Sequence, residues 1–316
     1  MIYVNKEELL YLMALKKIEN VGDRTIDKLY GRFKSFKEAW YADNEKIREL
    51  GIQKRNLHSL LENRREINLG DIENEIKRIL SQGVRIVSKF DGDYPERLHE
   101  LKDAPSVVYV KGDLKLDENA VAVVGTREPS DMGRNVARSI AQKLARAGYT
   151  IVSGLARGID TEAHIGALDG NGRTIAVLGT GFNKEVFYPK ENFYLLDRIV
   201  ENGYCISEFP PDSKGLMYKM YRRNRIISIL SKGVLIVEMS NKIHSGTLTQ
   251  ARYAKNQGRK VFIMDCIDRV SGNNEGWSIL KKDVDPIVVD SSEDITSGWP
   301  LIKKSDLLGH GVVATE

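Results

Sequence analysis

Val121-Ala122-Val123-Val124-Gly125-Thr126-Arg127-Glu128-Pro129-Ser130-Asp131-Met132-Gly133 is the stretch on which the fold turns. An apolar run too short for a helix and without polar alternation reads as a strand buried on both faces, the mark of a parallel sheet. The run breaks at a glycine and passes through a loop bearing hydroxyls and an arginine. It then gives way, over RNVARSIAQKLARAG (134–148), to apolar spacing of helical period. Strand, loop and helix in that order are the repeating unit of α/β proteins.

Similar apolar runs lie on either side: RIVSKF (85–90), SVVYV (106–110), TIVSG (150–154), TIAVLG (174–179), CISEF (205–209), VLIVEM (234–239), KVFIMD (260–265) and PIVVD (286–290). Helical patterns such as LTQARYAKNQG (248–258) alternate with them. The alternation predicts an α/β domain over residues 81–290: a doubly wound, mostly parallel sheet with helices on both faces and right-handed crossovers. Residues 1–80 predict a small all-helical domain, from EELLYLMALKKI (7–18), RTIDKLYGRF (24–33), SFKEAWYA (35–42) and NEIKRILSQG (74–83, at the domain's end). Residues 291–316 show no strong periodicity and are expected to form a tail without a winged helix.

With 316 residues, 41% hydrophobic and 29% charged, the chain can bury a sizeable core and lacks the composition of disorder. It has no long apolar run and no signal-peptide core at its start, so a cytoplasmic location is expected. Cys205 and Cys266 lie in strand-like apolar runs, which predicts buried thiols, with no disulfide and no metal site. The net charge of +4 matters less than its distribution: KGLMYKMYRRNR (214–225) carries Lys214, Lys219, Arg222, Arg223 and Arg225 and no acidic residue.

Open α/β sheets bind ligands beyond the carboxyl ends of their strands, so the loops after the apolar runs are the candidate site. After the first run, Gly125 permits close backbone approach, Thr126 and Ser130 offer hydroxyls, Arg127 offers a guanidinium, and the following helix opens with unpaired amides. The spacing is neither GxGxxG nor GxxxxGK[ST], so neither a dinucleotide site nor a nucleotide triphosphatase is indicated, and no cofactor is predicted. Ser153, Gly154 and Arg157 form a second such loop, with Asp160 expected to cap the next helix and His164 to be structural. Ser245, Gly246 and Thr247 form a third at another helix start. Several anion-compatible turns along one sheet edge fit an extended polyanion.

Taken in order, VAVVGTREPSDMG, IVSGLARGIDTEAH, TIAVLGTGFNKEVFYPKEN, ISEFPP, RRNRIIS and SGTLTQARYAKNQGRKVF resemble the motif series of the DprA/Smf family. The resemblance implies an extended Rossmann-like domain that binds single-stranded DNA with weak sequence preference, forms a homodimer and passes the strand to the recombinase RecA during natural transformation. It implies no catalysis. Carried over, the groove maps onto Gly125, Thr126, Arg127, Ser153, Gly154, Arg157, Arg222, Arg223, Asn224 and Arg225, with Lys219 as a neighbour.

Met220-Tyr221 stands where the family commonly has Phe-Pro, which leaves Tyr221 as the candidate stacking ring. The N-terminal helices resemble the family's SAM-like domain. Within IENVGDRT (18–25), Val21-Gly22 matches part of a helix-hairpin-helix turn, and plain helical packing remains the alternative to DNA contact there. Two other functions stay open: a phosphoribohydrolase-like enzyme using Glu208 or Glu238 as its acid, and a nucleotide-sensing module.

Overall fold

The computed structural model describes residues 6–116, 118–240, 245–264 and 275–289. Cys266 and the tail at 291–316 lie outside them.

The chain divides into two compact units, residues 1–109 and 110–316. The first unit carries helices α1 (Lys6–Lys17), α2 (Asp23–Phe33), α3 (Phe36–Tyr41), α4 (Asn44–Arg48), α5 (Lys54–Asn63) and α6 (Leu69–Ser81), then strand β1 (Arg85–Ser88). β2 (Val107–Gly112) runs across the division. The division falls later than the 80/81 boundary because residues after α6 are tied into the helices. The Ser106 amide and hydroxyl donate to Asp23 at 2.9 and 2.6 Å, Lys89 pairs with Asp27 at 2.8 Å, and the Phe90 ring lies 4.1 Å from that of Tyr30. Such tertiary contacts weigh more than a change in sequence texture.

The second unit is a Rossmann-type α/β fold. Its strands are β3 (Ala120–Val124), β4 (Thr150–Ser153), β5 (Thr174–Leu178), β6 (Gly203–Ser207), β7 (Gly233–Ile236), β8 (Lys260–Met264) and β9 (Ile287–Val289). They lie in the order β6-β5-β4-β3-β7-β8-β9, and every pairing among them is parallel. Every residue of β3 is buried, as is every residue of β4, β5, β6 and β7, which is why these strands read as unbroken apolar runs. Each fully buried aliphatic side chain contributes about 1.5 to 3 kcal/mol.

Helix α7 (Asp131–Arg146) shows why these segments are helical. Ser130 caps it by accepting from the Gly133 amide at 3.0 Å, Asp131 stands in its first turn, and Lys143 and Arg146 stand in its last. Val136, Ala137, Ile140, Ala141 and Leu144 form its buried stripe. With Ile159, Ala163 and Ala167 of α8 (Ile159–Asp169), that stripe packs on Val121, Val123 and Ile151 of one sheet face. α9 (Phe193–Glu201) precedes β6. The basic segment folds as α10 (Met217–Arg222) and α11 (Asn224–Leu230), and α11 lies against β3, β4 and β5. α12 (Gly246–Asn256) and α13 (Glu275–Val284) complete the helices of the described residues.

From β3 the chain winds outward through β4, β5 and β6, then returns to place β7 on the other side of β3. That reversal opens a crevice at the carboxyl ends of β3 and β7, the position where such sheets bind ligands.

Cys205 is buried in β6, where burial pushes its thiol well above the usual range. His164 on α8 is fully buried. Its Nδ1 meets Thr174 Oγ1 at 2.7 Å, and because Thr174 donates to the Ile151 carbonyl, Nδ1 is the donor in that contact. Burial, reinforced by the charge of Arg223, pushes the imidazole from an ordinary 6.5 down to about 3. The unfolded chain therefore takes up this proton more readily than the folded one. Stability is complete above pH 6.5 and falls as the pH drops toward 3. Thermal melts are expected to show about 2 kcal/mol lost to this group by about pH 5, with His164→Asn flattening that part of the profile.

Candidate functional site

A cleft of about 410 Å³ opens at the strand-order reversal of the second unit. Its walls come from the loop after β3 (Gly125, Thr126, Arg127, Glu128), the loop after β4 (Ala156, Arg157, Asp160), the start of α12 (Ser245, Gly246, Thr247) and the α10–α11 segment (Met217, Met220, Tyr221, Arg223, Asn224). Tyr188 and Ser240 also line it. The three loops singled out in the sequence thus meet on one crevice. Ser153, Gly154, Lys219, Arg222 and Arg225 do not line it.

The arginines differ sharply in their partners. Arg225 is buried, with its guanidinium paired to Glu208; Arg222 reaches the same carboxylate at 2.9 Å. One glutamate, its side chain only 6% exposed, thereby anchors two of the cations of the basic segment. Arg223, also buried, donates to the Val177 carbonyl at 2.8 Å and lies 3.6 Å from Asp160. Burial raises the Asp160 carboxyl, with the positive charge of Arg223 opposing, and burial lowers the Arg223 guanidinium. Arg157 is exposed, paired with Glu191 and stacked with its carbon Cζ 5.5 Å from the Tyr188 ring centre. Arg127 is exposed in the cleft and forms no ion pair among the described residues. Lys219 donates to Ser213 Oγ at 2.6 Å and to the Lys214 carbonyl at 3.1 Å, and lies 4.7 Å over the Phe209 ring.

Several residues do different work from what their sequence positions imply. Asp160 does not cap α8: Gly158 is the N-cap, and the carboxylate turns back to the Gly154 and Ala156 amides at 3.2 and 3.4 Å and to Arg223. A buried carboxylate needs the nearest available cation, and Arg223 supplies it. Ser153 is buried and donates to the Val123 carbonyl at 2.7 Å, linking neighbouring strands. Gly125 serves packing, since a Cβ there would lie 2.6 Å from Ile159 Cγ1 and 2.7 Å from the Glu238 carbonyl. Gly154 is a glycine because the Arg223 guanidinium occupies the place of its Cβ. Asn224 Nδ2 donates to the Gly246 carbonyl at 3.2 Å, and Gln250 Nε2 donates to the Asn224 carbonyl at 3.0 Å, so α11 and α12 present their starts to the cleft together.

Tyr188, Met217, Ser240 and Gln250 line the cleft without having been singled out. For Tyr188 the signal was an aromatic residue in a long loop at the carboxyl edge of β5. For Gln250 there was none, because its role depends on packing between α11 and α12. No helix of the described residues is long and apolar enough to cross a membrane, and no metal-binding cluster of His, Cys, Asp or Glu occurs among them.

A doubly wound α/β unit with a cation-bearing cleft at its strand-order reversal is a Rossmann-type ligand-binding protein. The chain belongs to the DNA recombination-mediator protein A family, whose model matches residues 85–298. It is 36% identical over 261 residues to protein Smf of Synechocystis sp., an alignment covering 81% of this chain and 64% of that one, less than two thirds of the relative's length. It is 37% identical over 212 residues to DNA processing protein DprA of Bacillus subtilis, covering 63% and 70% of the two chains.

Among solved structures, DNA processing protein A of Streptococcus pneumoniae superposes with a TM-score of 0.74 at 30% identity, over 96% of this chain and all of that one. DNA processing protein A of Helicobacter pylori superposes with a TM-score of 0.58 at 28% identity, over 68% and 94%. That structure describes a single-stranded DNA binding mode of the Helicobacter protein.

Proposed function

We propose that the cleft holds the sugar-phosphate backbone of single-stranded DNA, with little preference for sequence. The observation that carries this reading is Arg127, an exposed guanidinium facing the cleft that forms no ion pair among the described residues, whereas Arg157, Arg222, Arg223 and Arg225 are each paired with a carboxylate. An unneutralised cation beside loop amides and hydroxyls suits a phosphate. Thr126, Asn224 and the Ser245–Thr247 turn extend the polar track, and Arg157 exchanges Glu191 for a second phosphate when the strand arrives. Tyr188, Tyr221, Met217 and Met220 offer apolar and ring surface to unstacked bases, which bind any sequence with about 1 to 3 kcal/mol per stacked base. Arg222, Arg223, Arg225, Ser153 and Gly154 support this track from behind.

The remaining finer readings rest on family membership: a homodimer in the cytoplasm that protects incoming or exposed strands and loads RecA on them in transformation and recombination. A mixture of RecA, this protein and a strand already covered by a single-strand-binding protein tests the last step, with faster filament formation as the expected result.

We read the cleft as a binding site without turnover. Glu208 and Glu238, the acids an enzyme would draw on, are engaged by Arg222 and Arg225 and by Ser130 respectively. Pure protein incubated with nucleoside monophosphates is expected to release no free base.

Binding titrations of a fluorescent oligothymidylate over a range of salt test the main reading. Neutralising two or three phosphates predicts a slope of log affinity against log salt of about −1.4 to −2. Affinity that does not change with salt contradicts it.

A further inference from the structure

We infer that Glu238 is a positioning residue that shapes the Arg127 loop for its ligand. Glu238 follows β7, directly across the crevice from the end of β3. Its main-chain carbonyl accepts from the Thr126 amide at 2.8 Å. Both carboxylate oxygens accept from the Ser130 amide at 3.1 Å, and Oε2 also accepts from the Ser130 hydroxyl at 3.1 Å. One residue therefore holds both ends of the 126–130 loop, and Arg127 projects from between the two anchors. The Ser130 hydroxyl passes the constraint on, since it accepts from the Gly133 amide at the start of α7. Gly133 is part of the same device: a Cβ there would fall on Glu238 Oε2, so a residue without a side chain is what admits the carboxylate.

The amino end of α7 is thus already occupied by an anion from within the chain. The helix start that resembled a phosphate cradle is a carboxylate seat, and the side chains of this loop that line the cleft are Thr126, Arg127 and Glu128, of which Thr126 and Arg127 suit a phosphate. A negative side chain beside a phosphate site opposes binding by simple Coulomb repulsion. Positioning and electrostatics therefore predict opposite signs for its removal. If Glu238 acts only as a charge, Glu238→Gln tightens binding. If it shapes the loop, Glu238→Gln weakens it, because the amide keeps one accepting oxygen where the carboxylate offers two, so the Ser130 amide and hydroxyl can no longer both be held.

The inference rests on the strand-binding reading, and its test separates the two. Fluorescence anisotropy of a labelled oligothymidylate is measured with the full chain as parent, Glu238→Gln, Arg127→Ala and the double variant, alongside amide hydrogen exchange of the 126–130 peptide. Expected are about tenfold weaker binding for Glu238→Gln, the size of one charge-assisted hydrogen bond, no further loss when it is added to Arg127→Ala, and faster exchange in the loop. Equal or tighter binding by Glu238→Gln, or a full additional loss in the double variant, overturns the inference. Failure of the parent to bind any strand overturns the functional reading, and the exchange result still decides the role of Glu238: faster exchange upholds it and unchanged exchange refutes it. Should Glu238→Gln fail to fold, Gly133→Ala displaces the same carboxylate from a position where alanine suits the helix, with the same expected losses.

Discussion

Replacing Arg127 with alanine is expected to weaken binding of single-stranded DNA by roughly 10- to 100-fold at low salt, with the salt slope falling by about 0.7. The magnitude follows from what surrounds it. A guanidinium already paired with a carboxylate must give up that partner before it can serve a phosphate, so its net contribution is small. Arg127 has no such exchange to make among the described residues. Arg222→Ala is the natural control: Glu208 keeps its pairing with Arg225, and the Arg222 side chain is outside the cleft wall, so a change of about threefold or less is expected. Anisotropy titrations of the two variants at matched ionic strength check the contrast. An Arg222→Ala loss as large as that of Arg127→Ala would move the phosphate track onto α10.

Asp160→Ala is expected to cost about 3 to 5 kcal/mol of stability, because it leaves the buried Arg223 without its counter-charge. The loss is compounded by the Gly154 and Ala156 amides, which lose their acceptor. For a unit of this size the melting temperature falls by roughly 10 °C. Replacing both partners, as in Asp160→Leu with Arg223→Met, removes the uncompensated charge and is expected to recover that part of the loss, leaving the part due to the two amides. It does not recover strand binding, because the guanidinium that fills the space over Gly154 is what seats the second loop beside the first. Thermal melts and strand titrations on both variants separate the two effects. A loss under about 1 kcal/mol for Asp160→Ala would show that Arg223 finds water or another carboxylate.

The strands were legible in the sequence because a parallel sheet covered on both faces leaves no polar alternation: Ala120 to Val124 and Thr174 to Leu178 are buried throughout. The short helices α4 and α5 were not, since only Ile47 and Leu60 of them are buried, too little apolar spacing to mark a helical face. The crevice was legible as a set of loops because the carboxyl ends of the strands can be found without knowing the strand order. The order itself, with β7 crossing back beside β3, is what brings the first and third loops together.

What the sequence could not show is which cation is already paired. Arg223 finds Asp160 and Arg157 finds Glu191, and the helix start at Ser130 is likewise taken by Glu238, more than a hundred residues away. Each pairing is set by the fold rather than by local spacing. The acid-free appearance of 214–225 was accurate as sequence, yet Glu208 lies close enough in space to engage two of its arginines.

The most direct measurement of the central claim is photo-cross-linking of the full chain to a bromouracil-substituted single strand, followed by mapping of the modified peptides. Adducts in the peptides bearing Thr126 and Arg127, Tyr188, and Met217 to Tyr221 are the predicted result. Adducts confined to residues 6–81, with none around the cleft, would contradict it.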